Sequence, residues 1–149
     1  MSKPAPDARG AYRHFRAIQT RWMDNDMYGH VNNVVYYSFF DTVVNQYLVD
    51  QRVLDIEYGP VIGLVVETHC NFFTSMTYPD VVHAGLRVAR VGNSSVRYEV
   101  ALFRNDEPMA SAQGHYVHVY VDRANRRPVA ALPDDLRVAL NKLLIDGQT

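Results

Sequence analysis

The sequence predicts an α+β fold in which a curled antiparallel sheet of about five strands wraps a single buried helix. Three observations predict it. Residues 34 to about 48 carry apolar side chains over most of a helical wheel, four later segments alternate with the period of a strand, and one more strand-like segment precedes the helix. The order of one strand, a buried helix and then four strands is that of an α+β fold.

Residues 1–10 contain two prolines and one glycine and read as a flexible N-terminus, leaving 11–149 as a single domain. From Tyr12 to Trp22 aromatic, β-branched and basic residues mix without a helical repeat, as in a strand with room for a bulge. A polar turn, Asp24 to His30, leads to Asn32 and Asn33, either of which suits the N-cap of the long helix. In that helix Ser38, Asp41, Thr42, Asn45 and Gln46 gather on one side, so the rest of the surface is expected to be buried over a wide arc.

After Gly59-Pro60 the first alternating segment places Leu64, Val66, Thr68, Cys70 and Phe72 on one face. The next two do the same with Val82, Ala84, Leu86 and Val88, and with Val96, Tyr98, Val100 and Leu102; the fourth runs from about Met109 to Val121. Turn residues at Tyr78-Pro79-Asp80, Gly92-Asn93-Ser94 and Arg104 to Pro108 separate them, and sequential antiparallel pairing is the simplest connection. Pro133-Asp134-Asp135 opens a short C-terminal helix with Leu136, Leu140, Leu143 and Leu144 on one stripe. A single five-stranded layer leaves open edges, so two copies are expected to pair as a dimer at least.

The composition excludes several functions. With 15 basic and 16 acidic residues the chain lacks the electrostatic footprint of a nucleic-acid binder. No apolar run is long enough to span a bilayer and the first ten residues hold no signal core, so no membrane association is expected. One cysteine, Cys70, cannot form an internal disulfide and fits a reducing cytoplasm. Walker, Rossmann and HExxH patterns are absent, and no metal or cofactor is expected.

The informative stretch is Arg21 to Asn33, followed by Tyr36 and Tyr37. It sets carboxylates just before the N-terminus of a buried helix, where unpaired N–H groups and the positive end of the macrodipole point outward. Such an end can stabilise an oxyanion, and a neighbouring carboxylate can activate water or attack directly. Gly29 allows close backbone approach or a positive φ. Asp and Asn at these positions also have an ordinary use as turn and cap residues.

The pattern D-x-D-x-x-G-H-V-N-N-x-x-Y entering a long apolar helix resembles the acyl-CoA thioesterases of the hot-dog fold, of the 4-hydroxybenzoyl-CoA thioesterase type. The likeness in element order covers roughly Tyr12 to Leu144, with the Gly92-x-Ser-Ser turn and the Arg127-Pro128 and Leu132-Pro133 ending. The resemblance implies that Asp26 is the catalytic nucleophile or general base and that the Asn33 backbone N–H is the oxyanion donor. It implies that Asp24, Gly29, His30 and Asn32 orient the loop or thioester, that Tyr36 lines the acyl pocket, and that Ser94 and Ser95 meet the pantetheine arm. Many relatives continue with Glu-x-Ala-Arg where this chain has Asp41-Thr42-Val43-Val44. Asp41 lies eight residues past Asn33, roughly 12 Å along a helix, too far to share one carbonyl with the helix end.

Other candidates have simpler readings. His115 and His118 fall on opposite faces of a strand, which disfavours a shared metal. His69 and Cys70 diverge as strand neighbours, while Glu67 and His69 share a face that could border a pocket. Arg87, Arg90, Arg123, Arg126 and Arg127 are candidates for coenzyme A phosphates, although scattered arginines ordinarily serve solubility. The implied activity is hydrolysis of an acyl-CoA to free acid and coenzyme A. Two alternatives stand beside it: a module that binds an acyl-CoA or acyl-carrier-protein thioester without cleaving it, and a hot-dog hydratase or dehydratase.

Overall fold

A computed structural model describes residues 4–145. In chain order it contains β1 (His14–Gln19), α1 (Asn33–Asp50), β2 (Val61–Phe72), β3 (Val81–Val91), β4 (Ser95–Arg104), β5 (Ala112–Asp122) and α2 (Asp134–Asn141). The five strands form one antiparallel sheet in the order β1-β3-β4-β5-β2, and its inner face lies on α1, the hot-dog arrangement expected from the sequence.

The core follows from two periodicities that meet. Helix α1 buries Tyr36, Phe39, Phe40, Val43, Val44, Tyr47 and Leu48, spaced three and four apart as one stripe of a helix must be. Facing them are the alternate residues Val82, Ala84, Leu86 and Val88 of β3 and Val96, Tyr98, Val100 and Leu102 of β4, as the alternation predicts. Each large side chain sealed this way contributes about 1.5 to 3 kcal/mol. Helix α2 closes one end with Leu136, Ala139 and Leu140. The burial arc of α1 is narrower than expected, since Val34, Tyr37 and Val49 remain exposed in the single chain.

The pairing of β2 departs from the expected sequence of hairpins. Strand β2 pairs with β5, and β3 pairs with β1 and β4. The segment 73–80 therefore crosses the sheet end, carrying the fully buried Met76 beneath it. Three strand spacings are about 14 Å. Eight residues span that distance easily, so Tyr78-Pro79-Asp80 serves a crossover as well as a hairpin.

The face of β2 also differs. A bulge between Val65 and Glu67 adds one residue opposite His118 and Val117, so Val65 and Thr68 share the inner side with Cys70 and Phe72, while Leu64 turns outward. A single extra residue reverses the alternation on one side of it, and nothing in the composition of β2 marks the position. At the N-terminus Ala5 and Asp7 are tied to Gln113, and the Arg9 guanidinium reaches the carbonyls of Asn105 and Glu107. No helix among the described residues is long and apolar enough to cross a membrane.

Candidate active site

The motif folds as a small hairpin in front of α1. Asn25 bridges Val31, the Asp26 N–H donates to the His30 carbonyl at 2.9 Å, and the Asn32 N–H donates to the Asp24 carbonyl at 2.8 Å. Its tip is a turn in which the Gly29 N–H returns to the Asp26 carbonyl, while the Asp26 Oδ1 accepts from the Tyr28 N–H at 2.9 Å. Gly29 takes φ +81°, the positive value that its lack of a side chain permits. His30 is exposed at the same tip and contributes its carbonyl to the ladder.

Asp24 is 1% exposed, and its carboxylate accepts from the Arg21 N–H at 2.7 Å and from the Arg21 guanidinium at 2.8 Å. It therefore stiffens the base of the hairpin. Asn32 is the N-cap: its Oδ1 accepts from the Val34 N–H at 3.2 Å and its carbonyl from the Val35 N–H at 2.9 Å. Those bonds serve the second and third residues of α1, and among the described residues no bond takes up the N–H of the first, Asn33.

That first turn opens on a cleft of about 210 Å³ lined by Val31, Asn33, Tyr36, Phe72, Phe73, Thr74 and Ser75. Tyr36 stacks against Phe72 with ring centroids 4.9 Å apart, and burial raises its hydroxyl pKa. The cleft thus combines an apolar wall with the positive end of a helix. In one chain its wall includes Asn33 and Tyr36 but not the Asp26 side chain. A wider hollow of about 500 Å³ lies at the other end of α1, lined by Val49, Arg52, Leu54, Asp55, Ile56 and Glu57. It has neither the hairpin nor a helix N-terminus.

Ser94 and Ser95 are not brought to this cleft within one chain. Ser95 stands opposite Val119 of β5, whereas Phe72 stands opposite Ala112. Seven strand residues are about 23 Å. Asp41 accepts from the Tyr116 hydroxyl at 2.5 Å and from Asn45 at 2.9 Å, a structural use. His115 and His118 do take opposite faces: His115 stacks on His69 and meets Glu67 at 2.6 Å on the outer side, and His118 is buried beneath α1. Glu67 and His69 therefore border the outer face and not the cleft. Burial pushes the Cys70 thiol up to about 12, which removes it as a nucleophile near neutrality. Arg87 is engaged with Glu99 at 2.8 Å and Arg123 with the carbonyls of Gly59 and Ile56.

The sequence reading missed the partners of the hairpin across the fold. Asn25 Nδ2 donates to Thr77 Oγ1, and Thr77 Oγ1 donates to the Gly29 carbonyl. Behind them Asp80 is held by Arg104 and Asn105. Burial alone would raise its pKa, but the Thr77 N–H, the Asn105 amide and the Arg104 guanidinium outweigh it and hold the carboxyl below the ordinary carboxylate range. Fifty residues of separation hide such contacts from any local pattern.

A family model described as the Thioesterase-like superfamily matches residues 20–140. The chain belongs to that superfamily. Among solved structures, the PA5185 protein of Pseudomonas aeruginosa strain PAO1 is 53% identical with a TM-score of 0.93, covering 97% of this chain and 100% of that one. The candidate thioesterase PA2801 of Pseudomonas aeruginosa is 27% identical with a TM-score of 0.78, covering 87% of this chain and 98% of its own. Slr0204 of Synechocystis, a 1,4-dihydroxy-2-naphthoyl-CoA thioesterase, shares 16% identity with a TM-score of 0.78, covering 87% and 96%, and so shows the fold alone. YsmA of Bacillus subtilis is 21% identical over 95% of both chains. The matched range of this thioesterase-like protein contains the whole hairpin, the cleft and four of the five strands, β1 lying just before it.

Proposed function

We propose that this thioesterase-like protein hydrolyses an acyl-CoA thioester to the free acid and coenzyme A, in the manner of the 4-hydroxybenzoyl-CoA type. The observation that carries the reading is the Asn33 N–H, unclaimed by the N-cap and set at an apolar cleft. The thioester carbonyl accepts from this donor, and the charge that develops on its oxygen is stabilised there and by the helix dipole. In characterised enzymes a single oxyanion donor contributes about 3 to 4 kcal/mol to the transition state. Asp26 either attacks the carbonyl carbon, giving an anhydride that water opens, or takes a proton from the attacking water. Both routes release coenzyme A as the thiol. Val31, Tyr36, Phe72 and Phe73 receive the acyl group.

The same reading calls for a second copy. Strand β2 has a free edge beyond its pairing with β5, and Val65 and Val66 are exposed along it at 47% and 60%. Antiparallel pairing of two such edges lays the Val61 end of one beside the Phe72 end of the other. The β3–β4 turn sits toward the Val61 end, so the partner's turn arrives at the end of the sheet that holds the cleft. Ser94 and Ser95 then serve the pantetheine arm across the interface. With its single thiol, Cys70, the protein is assigned to the cytoplasm.

The experiment is free-thiol release from short, medium, long and aromatic acyl-CoAs, with Asp26→Asn beside the wild type. Release that depends on Asp26 supports the reading. A folded wild type that binds these thioesters and releases no thiol makes the protein a binding module, and enoyl or 3-hydroxyacyl turnover without thiol release makes it a lyase.

A further inference from the structure

The hairpin that carries Asp26 packs only at its base, where Asp24 and Val31 are buried. Met27 and Tyr28 at its tip are 89% and 79% exposed, so burial does not hold the tip in place. Its position is instead set by four hydrogen bonds to the crossover segment 76–78. The Val31 N–H donates to the Met76 carbonyl at 2.8 Å and Asn25 Nδ2 to Thr77 Oγ1 at 3.3 Å. Thr77 Oγ1 in turn donates to the Gly29 carbonyl at 2.7 Å, and the Tyr78 N–H to Asn25 Oδ1 at 3.2 Å.

The Thr77 hydroxyl bonds both to Asn25 on the first arm of the hairpin and to Gly29 at the end of its turn. It has one proton and two lone pairs, and here the proton goes to Gly29 while a lone pair takes Asn25. Gly29 and Asn25 flank Asp26, whose own carbonyl accepts from Gly29. Thr77 is itself anchored. Its N–H donates to Asp80 Oδ2 at 2.9 Å, and Asp80 is 7% exposed, bound by Arg104 at 2.8 Å and by Asn105 at 3.0 Å. The Asp80 carbonyl also receives Thr20 just past β1. A continuous hydrogen-bonded path therefore runs from the ends of β1 and β4 to the loop.

We infer that Thr77, bridging Gly29 and Asn25, is a positioning residue that fixes the Asp26 carboxylate relative to the start of α1. The inference rests on the hydrolase reading given above. Reaction geometry tolerates little slack, and a displacement of about 1 Å can cost about a hundredfold in rate. Losing the clamp should therefore lower the rate of the chemical step and leave the binding of thioester, which the cleft provides, unchanged.

The test compares Thr77→Val, which keeps the shape and removes the hydroxyl, with Thr77→Ser, which restores it. Steady-state thiol release is combined with amide hydrogen exchange across 25–31. Thr77→Val should lower kcat about tenfold or more with KM held within about twofold. Amides of the hairpin should exchange about fivefold faster while those of β3 and β4 do not change. Thr77→Ser should recover both. Wild-type kcat in Thr77→Val, or a Thr77→Ser as slow as Thr77→Val, overturns the inference. Should the wild type release no thiol at all, the hydrolase reading fails on its own, and unchanged exchange in Thr77→Val then overturns the clamp separately.

Discussion

Gly114 of β5 faces the carbonyl of His69 on β2 so closely that no side chain can stand there: a Cβ built on Gly114 would overlap the His69 carbonyl and the Cys70 Cα. The pair Cys70–Gly114 lies in the stretch of ladder leading to Phe72 and the cleft. Gly114→Ala must push β2 off β5, because the overlapped atoms are backbone and cannot rotate away. Overpacking of this kind costs about 3 kcal/mol or more. Urea unfolding of Gly114→Ala should show that loss, and a stability within about 0.5 kcal/mol of wild type would refute the closeness of the pairing.

Loss of the N-cap should separate stability from chemistry in a different way. Asn32 bonds the Val34 and Val35 N–H groups and pairs with Asp24. Asn32→Ala keeps the backbone bonds and removes the side-chain acceptor, at a cost of about 1 kcal/mol. Asp26→Asn removes a charge whose only side-chain bond among the described residues runs to the Tyr28 N–H, so its melting temperature should stay near that of wild type. In thiol release the order should reverse, with Asp26→Asn the more damaged by at least about a hundredfold. A kcat for Asp26→Asn within about threefold of wild type would remove Asp26 from the chemistry.

How much of this was legible in the sequence depended on whether the information was local. The stripe of α1 and the inward sets of β3 and β4 could be read because each obeys one period throughout. The face of β2 could not, since one bulged residue near Val66 reverses the pattern without changing composition. The order β1-β3-β4-β5-β2 was hidden because the residues of 73–80 suit a hairpin and a crossover alike. At the site, the turn and cap chemistry of Asp24, Gly29 and Asn32 was local and therefore visible. Thr77 was not, because it meets Gly29 and Asn25 across 48 and 52 residues.

His118 should make the fold sensitive to acid. It is buried at 2% exposure with Nδ1 3.3 Å from the Tyr120 hydroxyl, and its Nε2 has no partner among the described residues. Burial lowers its pKa from 6.5 to about 4, against a smaller opposing pull from Asp41. A depressed folded value means that the unfolded chain takes up the proton first. The stability linked to this group is therefore full above pH 6.5 and drains away as pH falls toward 4. Between pH 7 and pH 5 the linked loss is about 2 kcal/mol. Urea unfolding of His118→Phe at the two pH values should show a drop smaller than that of wild type by this amount. An equal drop in both proteins would mean that His118 titrates normally.

The cross-subunit assignment of Ser94 can be decided by mixing two inactive proteins. If Asp26 of one chain works with the β3–β4 turn of its partner, a heterodimer of Asp26→Asn with Ser94→Trp collects both lesions in one site and leaves the other intact. If both groups act within one chain, each site of that heterodimer keeps one lesion and nothing is recovered. Random reassortment makes half of the dimers hybrid, each with one good site of two, so activity should return to about a quarter of wild type. The intrachain distance of about 23 Å between the Ser95 and Phe72 register positions already disfavours the second arrangement. Purified Ser94→Trp must first be shown to remain folded and dimeric, by circular dichroism and by light scattering. Recovery in the mixture places the pantetheine turn on the partner, its absence places both groups within one chain, and a Ser94→Trp that is active on its own returns Ser94 to an ordinary hairpin residue.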